Sequence, residues 1–352
     1  MTGGPIRVLV VDDSLTVRRA IGGVLRRSPE FELAGEAENG LQAFELCRSL
    51  RPDVVTMDMV MPEMDGLRAT EQIMAFCPTP ILVVSSSLNR GEVFQTYEAL
   101  AAGAVDVLDK VTDNDCEDWE ARLLATLRLV SRVRVITHPR GRLGGLGKPS
   151  DGIGSTLQPF EPRGGSHLLA LGASTGGPGA VAEILRALPP GLAVPILLVL
   201  HIGEPFGDSL ASWLDSQTSY QVRYPVEGER LSEADGVLMA PPSRHLVLRA
   251  GRLWLTDDPE RHSCRPSVDV LFESLAREVG PRTCACLLTG MGVDGAAGLL
   301  ALRAAGARTI AQDEPSSVVY GMPKEAVRLG AAQLVLPLSH IASALADAVH
   351  GR

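Results

Sequence analysis

The sequence predicts an α/β protein of two domains, each built on a mostly parallel sheet. Three observations carry that expectation. A chain of 352 residues is long enough for two domains of ordinary size. Short β-branched runs alternate with amphipathic helical stretches in both halves, as parallel βα units require. Between the halves, over residues 137–165, the pattern collapses into glycine, proline, arginine and serine, which bury too little apolar surface to offset their ordering entropy. The expected organisation is a first domain over 5–130, a flexible Gly/Pro/Arg linker over 131–165 and a second domain over 166–350.

In the first domain the strand-like runs lie at 6–11, 53–57, 80–84 and 104–108. Ser14 stands where it would cap the first helix, and Val17, Ala20, Ile21, Val24 and Leu25 recur along one helical face. In the second domain strands are expected at 167–171, 195–200, 236–240, 284–288, 307–311 and 333–336. A β-hairpin turning at Ala250 and Gly251 would join 246–249 to 252–255.

Composition narrows the function classes. Hydrophobic residues make up 45% of the chain and charged residues 21%, a soluble globular balance. No apolar run approaches the ~20 residues needed to cross a bilayer, so no membrane insertion is expected. The first residues lack a cleavage-site pattern, and six scattered cysteines fit reduced thiols, so the expected location is cytoplasmic. Cys284 and Cys286 alternate within a strand, the spacing of packing rather than of metal ligation. Residues 1–130 hold 12 basic against 21 acidic side chains, and 167–352 hold 15 against 19. That balance argues against nucleic-acid binding by either domain.

Parallel sheets place sites at the carboxyl ends of their strands, and there the first domain carries a distinctive set. Asp12 and Asp13 follow the first run, Asp58 the second, Ser85 the third and Lys110 the fourth. Three converging carboxylates make a hard-oxygen site suited to Mg²⁺. A carboxylate can also attack phosphorus to give an acyl phosphate, whose oxygens Ser85 and Lys110 would contact. The stretches VLVVDDS, DVVTMDMVMPEMDG, ILVVSSS and GAVDVLDK resemble the two-component response-regulator receiver family. The resemblance implies a flavodoxin-like (βα)5 receiver phosphorylated on Asp58 by a histidine kinase. It also implies Mg²⁺ held by Asp12, Asp13 and Asp58, and switching through Ser85 and Lys110. One departure is Val111, where the family usually has proline.

The second domain opens with a strand that runs into Ser174-Thr175-Gly176-Gly177-Pro178, after which a helical pattern begins. Such a turn projects a serine above the sheet and aims backbone N–H groups at an anion. Alone it fits a phosphate-binding turn equally well. Two further strand ends decide between them, because 195–200 finishes at His201 and 284–288 runs into TGMGVDG. In triad logic His201 would take the Ser174 proton and Asp294 would orient the imidazole. Glycines around Met291 would admit backbone donors to an oxyanion. His245 and His262 remain alternatives for the base, as do Asp257, Asp258 and Asp313 for the acid. A dinucleotide site is disfavoured, since no acidic residue ends the second strand. The order Ser, His, Asp also departs from ordinary α/β-hydrolases.

That order accompanies ALGASTGGPGA, VLHIGEPF, GVLMAPPSRHLVL, RPSVDVLFESLA, LLTGMGVDGAAGL and QDEPSSVVYGMPKEAV, which resemble the chemotaxis protein-glutamate methylesterase family. The resemblance implies a Rossmann-like, doubly wound, mostly parallel sheet with a β-hairpin. It further implies Ser174 as nucleophile, His201 as base, Asp294 as orienting acid, and backbone oxyanion donors at Thr175 and Met291. The implied substrates are glutamate methyl esters on the cytoplasmic domains of methylated chemoreceptors, with glutamine deamidation as a second activity and no cofactor for the esterase. A histidine kinase of a chemosensory system would control it through the receiver. Leu200-His201-Ile202-Gly203 departs from the family's common Gln-His-Met-Pro. A different class of function stays open, a response regulator whose hydrolase-like domain serves only as a protein-binding module.

Overall fold

The computed structural model describes residues 4–86, 90–110, 116–133, 135, 167–202 and 206–351. The chain divides into two compact units, Met1–Pro149 and Ser150–Arg352. Most of the 131–165 linker lies outside the described residues, as do Val111 and Gly203.

In the first unit, five strands alternate with five helices: β1 (Ile6–Val11), α1 (Leu15–Arg27), β2 (Phe31–Ala37), α2 (Gly40–Leu50), β3 (Val54–Met57), α3 (Gly66–Phe76), β4 (Ile81–Ser85), α4 (Arg90–Ala101), β5 (Asp106–Asp109) and α5 (Cys116–Val130). The sheet order is β2-β1-β3-β4-β5 and each pairing is parallel, the flavodoxin-like winding. β2 is the strand that the four strand-like runs omit. It is an edge strand without a β-branched residue, and it exposes Glu32 and Glu36. The last strand begins two residues later than the sequence suggests: Ala104 N–H still donates back to Ala99 O of α4 at 2.9 Å, and the bonding to β4 starts with Val105 N–H on Ile81 O at 2.8 Å. Ser14 occupies the cap position of α1 without a capping side-chain bond; its N–H donates instead to Asp12 Oδ1 at 2.9 Å.

The second unit continues with β6 (Leu168–Ala173), α6 (Gly177–Ala187), β7 (Ile196–Leu200), α7 (Gly207–Gln217), β8 (Val222–Arg223), β9 (Val237–Met239), β10 (His245–Arg249), β11 (Arg252–Thr256), α8 (Val268–Glu278), β12 (Thr283–Leu287), α9 (Ala296–Ala304), β13 (Arg308–Gln312), α10 (Met322–Arg328), β14 (Leu334–Leu336) and α11 (Leu338–His350). Seven strands form one sheet in the order β14-β13-β12-β6-β7-β9-β8. All of its pairings are parallel. β10 and β11 form their own antiparallel pair, turning through Ala250 (φ 51°) and Gly251 (φ 70°) as a two-residue hairpin prefers.

Successive residues of the central strands are buried on both faces, the mark of a doubly covered parallel sheet. Leu168, Ala170, Leu197, Val199, Ala285 and Leu287 share one core with the hairpin, α8, α9 and α10. α8 supplies Val268, Leu271, Phe272 and Leu275, all 0% exposed. Burying such side chains is worth about 1.5–3 kcal/mol each, which fixes the position of the helix and of its N-terminus. Cys284 and Cys286 are fully buried on a common face of β12. Burial pushes the Cys284 thiol up to about 12, so both act as packing residues.

Candidate functional site

In the first unit the chain winds away in opposite directions from β1 and β3, and their carboxyl ends meet at that switch point. Asp12 and Asp13 follow β1 and Asp58 follows β3, with carboxylate oxygens within 4.8 Å of one another. Asp12 and Asp58 are buried at 1% and 4% exposure. Lys110, following β5, places Nζ 2.9 Å from Asp12 Oδ2 and 2.9 Å from Asp58 Oδ1. The Met59 N–H donates to Asp58 Oδ1 at 2.8 Å. Burial, reinforced by the Asp12 charge, pushes Asp58 up to about 6 despite Lys110. One ammonium thus faces an acidic pocket of the type that holds Mg²⁺. All three donors are hard oxygens, and the uncompensated carboxylate charge fits a small divalent cation. Ser85 ends β4, and its carbonyl accepts from Lys110 N–H at 3.1 Å. Every residue that the sequence assigned to this pocket is brought to one sheet edge.

In the second unit the corresponding switch point lies between β6 and β12, and β7 flanks β6 on its other side. Register carries Ala173 beside Leu200 and Gly172 beside Leu287. Ser174 and His201 are therefore each the first residue past two neighbouring strands. The backbone ties the three ends together: His201 N–H donates to Ala173 O at 3.0 Å, and Ser174 N–H to Thr289 O at 3.0 Å. Gly176 follows in the left-handed region at φ 77° and caps α6, so only glycine makes this turn without strain. A Cβ on Gly290 would lie 2.8 Å from Ser174 Cβ. That close approach brings the neighbouring Met291 to the nucleophile turn. Thr289 braces the same turn, its hydroxyl donating to Thr175 O at 2.9 Å.

His201 Nε2 lies 2.9 Å from Asp294 Oδ2. The carboxylate accepts more than this one bond. Ser267 Oγ donates to Oδ1 at 2.7 Å, Val268 N–H to Oδ2 at 2.7 Å, and Asp269 N–H to Oδ1 at 3.1 Å. Asp294 thus sits on the N-terminus of α8, where free amides and the helix dipole favour an anion. Burial opposes its charge, but His201, Ser267 and the Val268 amide outweigh burial and hold the carboxyl below its ordinary value. Because Asp294 is an acceptor, neutral His201 carries its hydrogen on Nε2 and leaves the lone pair on Nδ1. Burial lowers the affinity of His201 for a proton, yet Asp294 and Cys264 more than reverse this and push it up to about 9.

The alternative candidates are each engaged by other groups. His245 is fully buried, with Nδ1 accepting from Ser267 N–H at 3.1 Å and Nε2 3.2 Å from Pro259 O. His262 pairs with Asp269 at 3.2 Å. Asp257 and Asp258 serve Arg244 and Thr256, and Asp313 holds Ser316. The sequence reading missed two neighbours. Ser267 bears a helix-start signal, an N-cap side chain accepting from Val270 N–H at 3.3 Å. Cys264 has no linear signal, and its Sγ stands 3.7 Å from His201 Nδ1.

Comparison with known proteins gives two family matches, the CheB methylesterase model over residues 169–345 and the response regulator receiver domain model over residues 8–116. A protein-glutamate methylesterase/protein-glutamine glutaminase of Anaeromyxobacter dehalogenans (strain 2CP-C) is 43% identical over 350 residues, covering 99% of this chain and 98% of its own. One from Myxococcus xanthus (strain DK1622) is 40% identical over 355 residues, covering 100% and 99%. The crystal structure of the Thermotoga maritima CheB methylesterase catalytic domain aligns at 33% identity and a TM-score of 0.49, covering 52% of this chain and 98% of that one.

Proposed function

Because the chain belongs to the CheB methylesterase family, with a receiver domain ahead of the catalytic domain, we propose that Ser174, His201 and Asp294 perform its hydrolysis. The enzyme is a protein-glutamate methylesterase/protein-glutamine glutaminase, regulated by its receiver in chemotaxis adaptation. The observation that carries the site assignment is the bonded His201–Asp294 pair, standing at the strand end beside that of Ser174.

In this reading Ser174 Oγ attacks the γ-carbonyl carbon of a methylated glutamate while its proton passes to His201 Nδ1. The N–H groups of Thr175 and Met291 take the developing oxyanion, where one donor is worth about 3 kcal/mol. His201 then returns the proton to the departing methoxide, and methanol leaves an acyl-serine. Water, deprotonated by the same nitrogen, releases glutamate and restores Ser174. Glutamine follows the same course with ammonia as the leaving group. Asp294 keeps the imidazole turned and stabilises its charged form.

Control enters at Asp58, whose carboxylate takes a phosphoryl group from a histidine kinase of the chemosensory system. Mg²⁺ bound by Asp12, Asp13 and Asp58 would neutralise charge on the incoming phosphoryl group. Lys110 and Ser85 contact its oxygens. The receiver spans 5–130 and the catalytic domain 166–350, joined by the 131–165 linker. The substrates are the methylated cytoplasmic domains of chemoreceptors, which places the enzyme in the cytoplasm. Among the described residues no helix is long and apolar enough to cross a membrane.

Methanol release from methylated receptor membranes, with and without a small phosphodonor and Mg²⁺, tests the reading. The wild-type rate should rise by about 5- to 150-fold, the range of ordinary coupling between sites, and Asp58→Ala should not respond. An equal response in the variant removes Asp58 as acceptor.

The His201 environment also sets a pH dependence. Protonated Nδ1 cannot accept from Ser174, so kcat/KM should climb with pH well above the ~6.5 of an ordinary histidine, with its midpoint near 9. The stability effect runs the other way. A folded-state pKa above the unfolded value stabilises the fold fully below about 6.5, and that contribution is lost as pH rises through about 9. Rates from pH 6 to 10, corrected with Ser174→Ala for spontaneous ester loss, check this. A midpoint at or below 6.5 contradicts it.

A further inference from the structure

Cys264 belongs to the loop between β11 and α8 and takes no part in the hydrolysis described above. Its Sγ nonetheless lies 3.7 Å from His201 Nδ1, the nitrogen that carries the lone pair. His201, Cys264 and Asp294 each offer a ligand atom within 4.8 Å of the others. We propose that His201 Nδ1 and Cys264 Sγ form a chelate for a thiophilic divalent cation of the zinc class, whose binding inhibits the esterase. This rests on the reading of His201 as the general base, since a metal on Nδ1 removes the lone pair that Ser174 needs.

Three features of the site point to a metal. The first is separation. A zinc ion ~2.0 Å from nitrogen and ~2.3 Å from sulfur would bridge the 3.7 Å gap at an angle of about 120°, near the tetrahedral value. The second is orientation. Metal-bound histidines characteristically give their other N–H to a carboxylate, and His201 Nε2 already stands 2.9 Å from Asp294. The third is donor class. Sulfur and imidazole select zinc over magnesium, whereas the receiver pocket is all carboxylate and suits the harder ion.

Asp294 completes the surroundings without becoming a direct ligand. Both its oxygens are engaged by Ser267, Val268, Asp269 and His201, so it contributes charge and holds the ring. Water or Ser174 Oγ would complete the coordination sphere. From the neutral imidazole, binding exchanges the thiol proton for the metal, forming a zinc–thiolate and a zinc–imidazole bond and releasing one proton to solvent, and a protonated His201 releases its Nδ1 proton as a second. No electron moves. Among the other described cysteines, Cys47, Cys284 and Cys286 are buried and Cys77 lies in the receiver unit.

The experiment uses the full chain in excess Mg²⁺, which fills the receiver pocket, with a phosphine reductant in place of thiols. Zinc sulfate is titrated while methanol release is followed, each variant being scaled to its own zinc-free rate. Bound zinc is measured in parallel by competition with a chromogenic chelator, on wild type, Cys264→Ala and Ser174→Ala. Wild type should be inhibited, and Cys264→Ala should need about 100-fold more zinc, since even supporting groups around a metal are worth 10- to 100-fold. Ser174→Ala should bind zinc as wild type does, and Cys264→Ala should bind one equivalent less. Equal sensitivity of wild type and Cys264→Ala overturns the proposal, as does a wild type that zinc leaves fully active. A wild type that releases no methanol at all sinks the esterase reading instead, and Cys264-dependent zinc binding then still carries the chelate.

Discussion

Ser174→Ala is expected to lower methanol release by about 10⁴-fold or more while the protein stays folded. Removal of a triad nucleophile has effects of that order. The size of the effect matters more than its sign. A serine that merely positioned a neighbour would cost one hydrogen bond, about 0.5–1.5 kcal/mol, or roughly tenfold in rate. A 10⁴-fold loss corresponds to about 5.4 kcal/mol, beyond what positioning supplies. The substitution is also gentle. The bond that holds the turn runs from the Ser174 backbone N–H to Thr289 O, and alanine keeps it. Rates on methylated receptor membranes, with thermal unfolding as a check on the fold, measure both. Equal rates in wild type and variant would leave the second domain as a binding module.

Ser174, His201 and Asp294 are legible in the sequence for a common reason. Each follows an apolar run that reads as a buried parallel strand, and such strands deliver their ends to one edge of the sheet. Asp12, Asp13, Asp58, Ser85 and Lys110 are legible on the same grounds. What linear pattern misses is what does not repeat. β2 is an edge strand whose alternation is broken by Gly35 and two glutamates, and β8 is too short, at two residues, to carry a period. Cys264 reaches His201 across 63 positions because the loop after the hairpin folds back over the sheet, and no spacing rule reports that. Ser267 lies between these extremes. A serine before the periodic run of α8 is a readable helix start, but its second bond, to Asp294, exists only once β12 and α8 are packed together.

That second bond makes Asp294→Asn the most informative change in the catalytic domain. Asp294 is 2% exposed and faces four donors, with Ser267 Oγ and Asp269 N–H on Oδ1 and Val268 N–H and His201 Nε2 on Oδ2. Asparagine is nearly the same shape but offers one acceptor oxygen and one NH₂. Either orientation points the NH₂ at a backbone amide of α8 that cannot turn away. The expected loss of stability is about 1–3 kcal/mol, seen as a Tm lower by roughly 2–4 °C per kcal/mol for a domain of this size. The kinetic loss should be larger, about 10⁴-fold in kcat, as when a triad aspartate becomes asparagine elsewhere. With the NH₂ toward His201, the imidazole must accept at Nε2 and carry its hydrogen on Nδ1, where Ser174 needs a lone pair. Residual activity should titrate at lower pH than wild type, because the charge that raises the His201 pKa is gone. A purely structural aspartate would shift Tm without moving the pH midpoint, so a lowered Tm with an unchanged profile and less than tenfold loss of kcat would remove Asp294 from the triad.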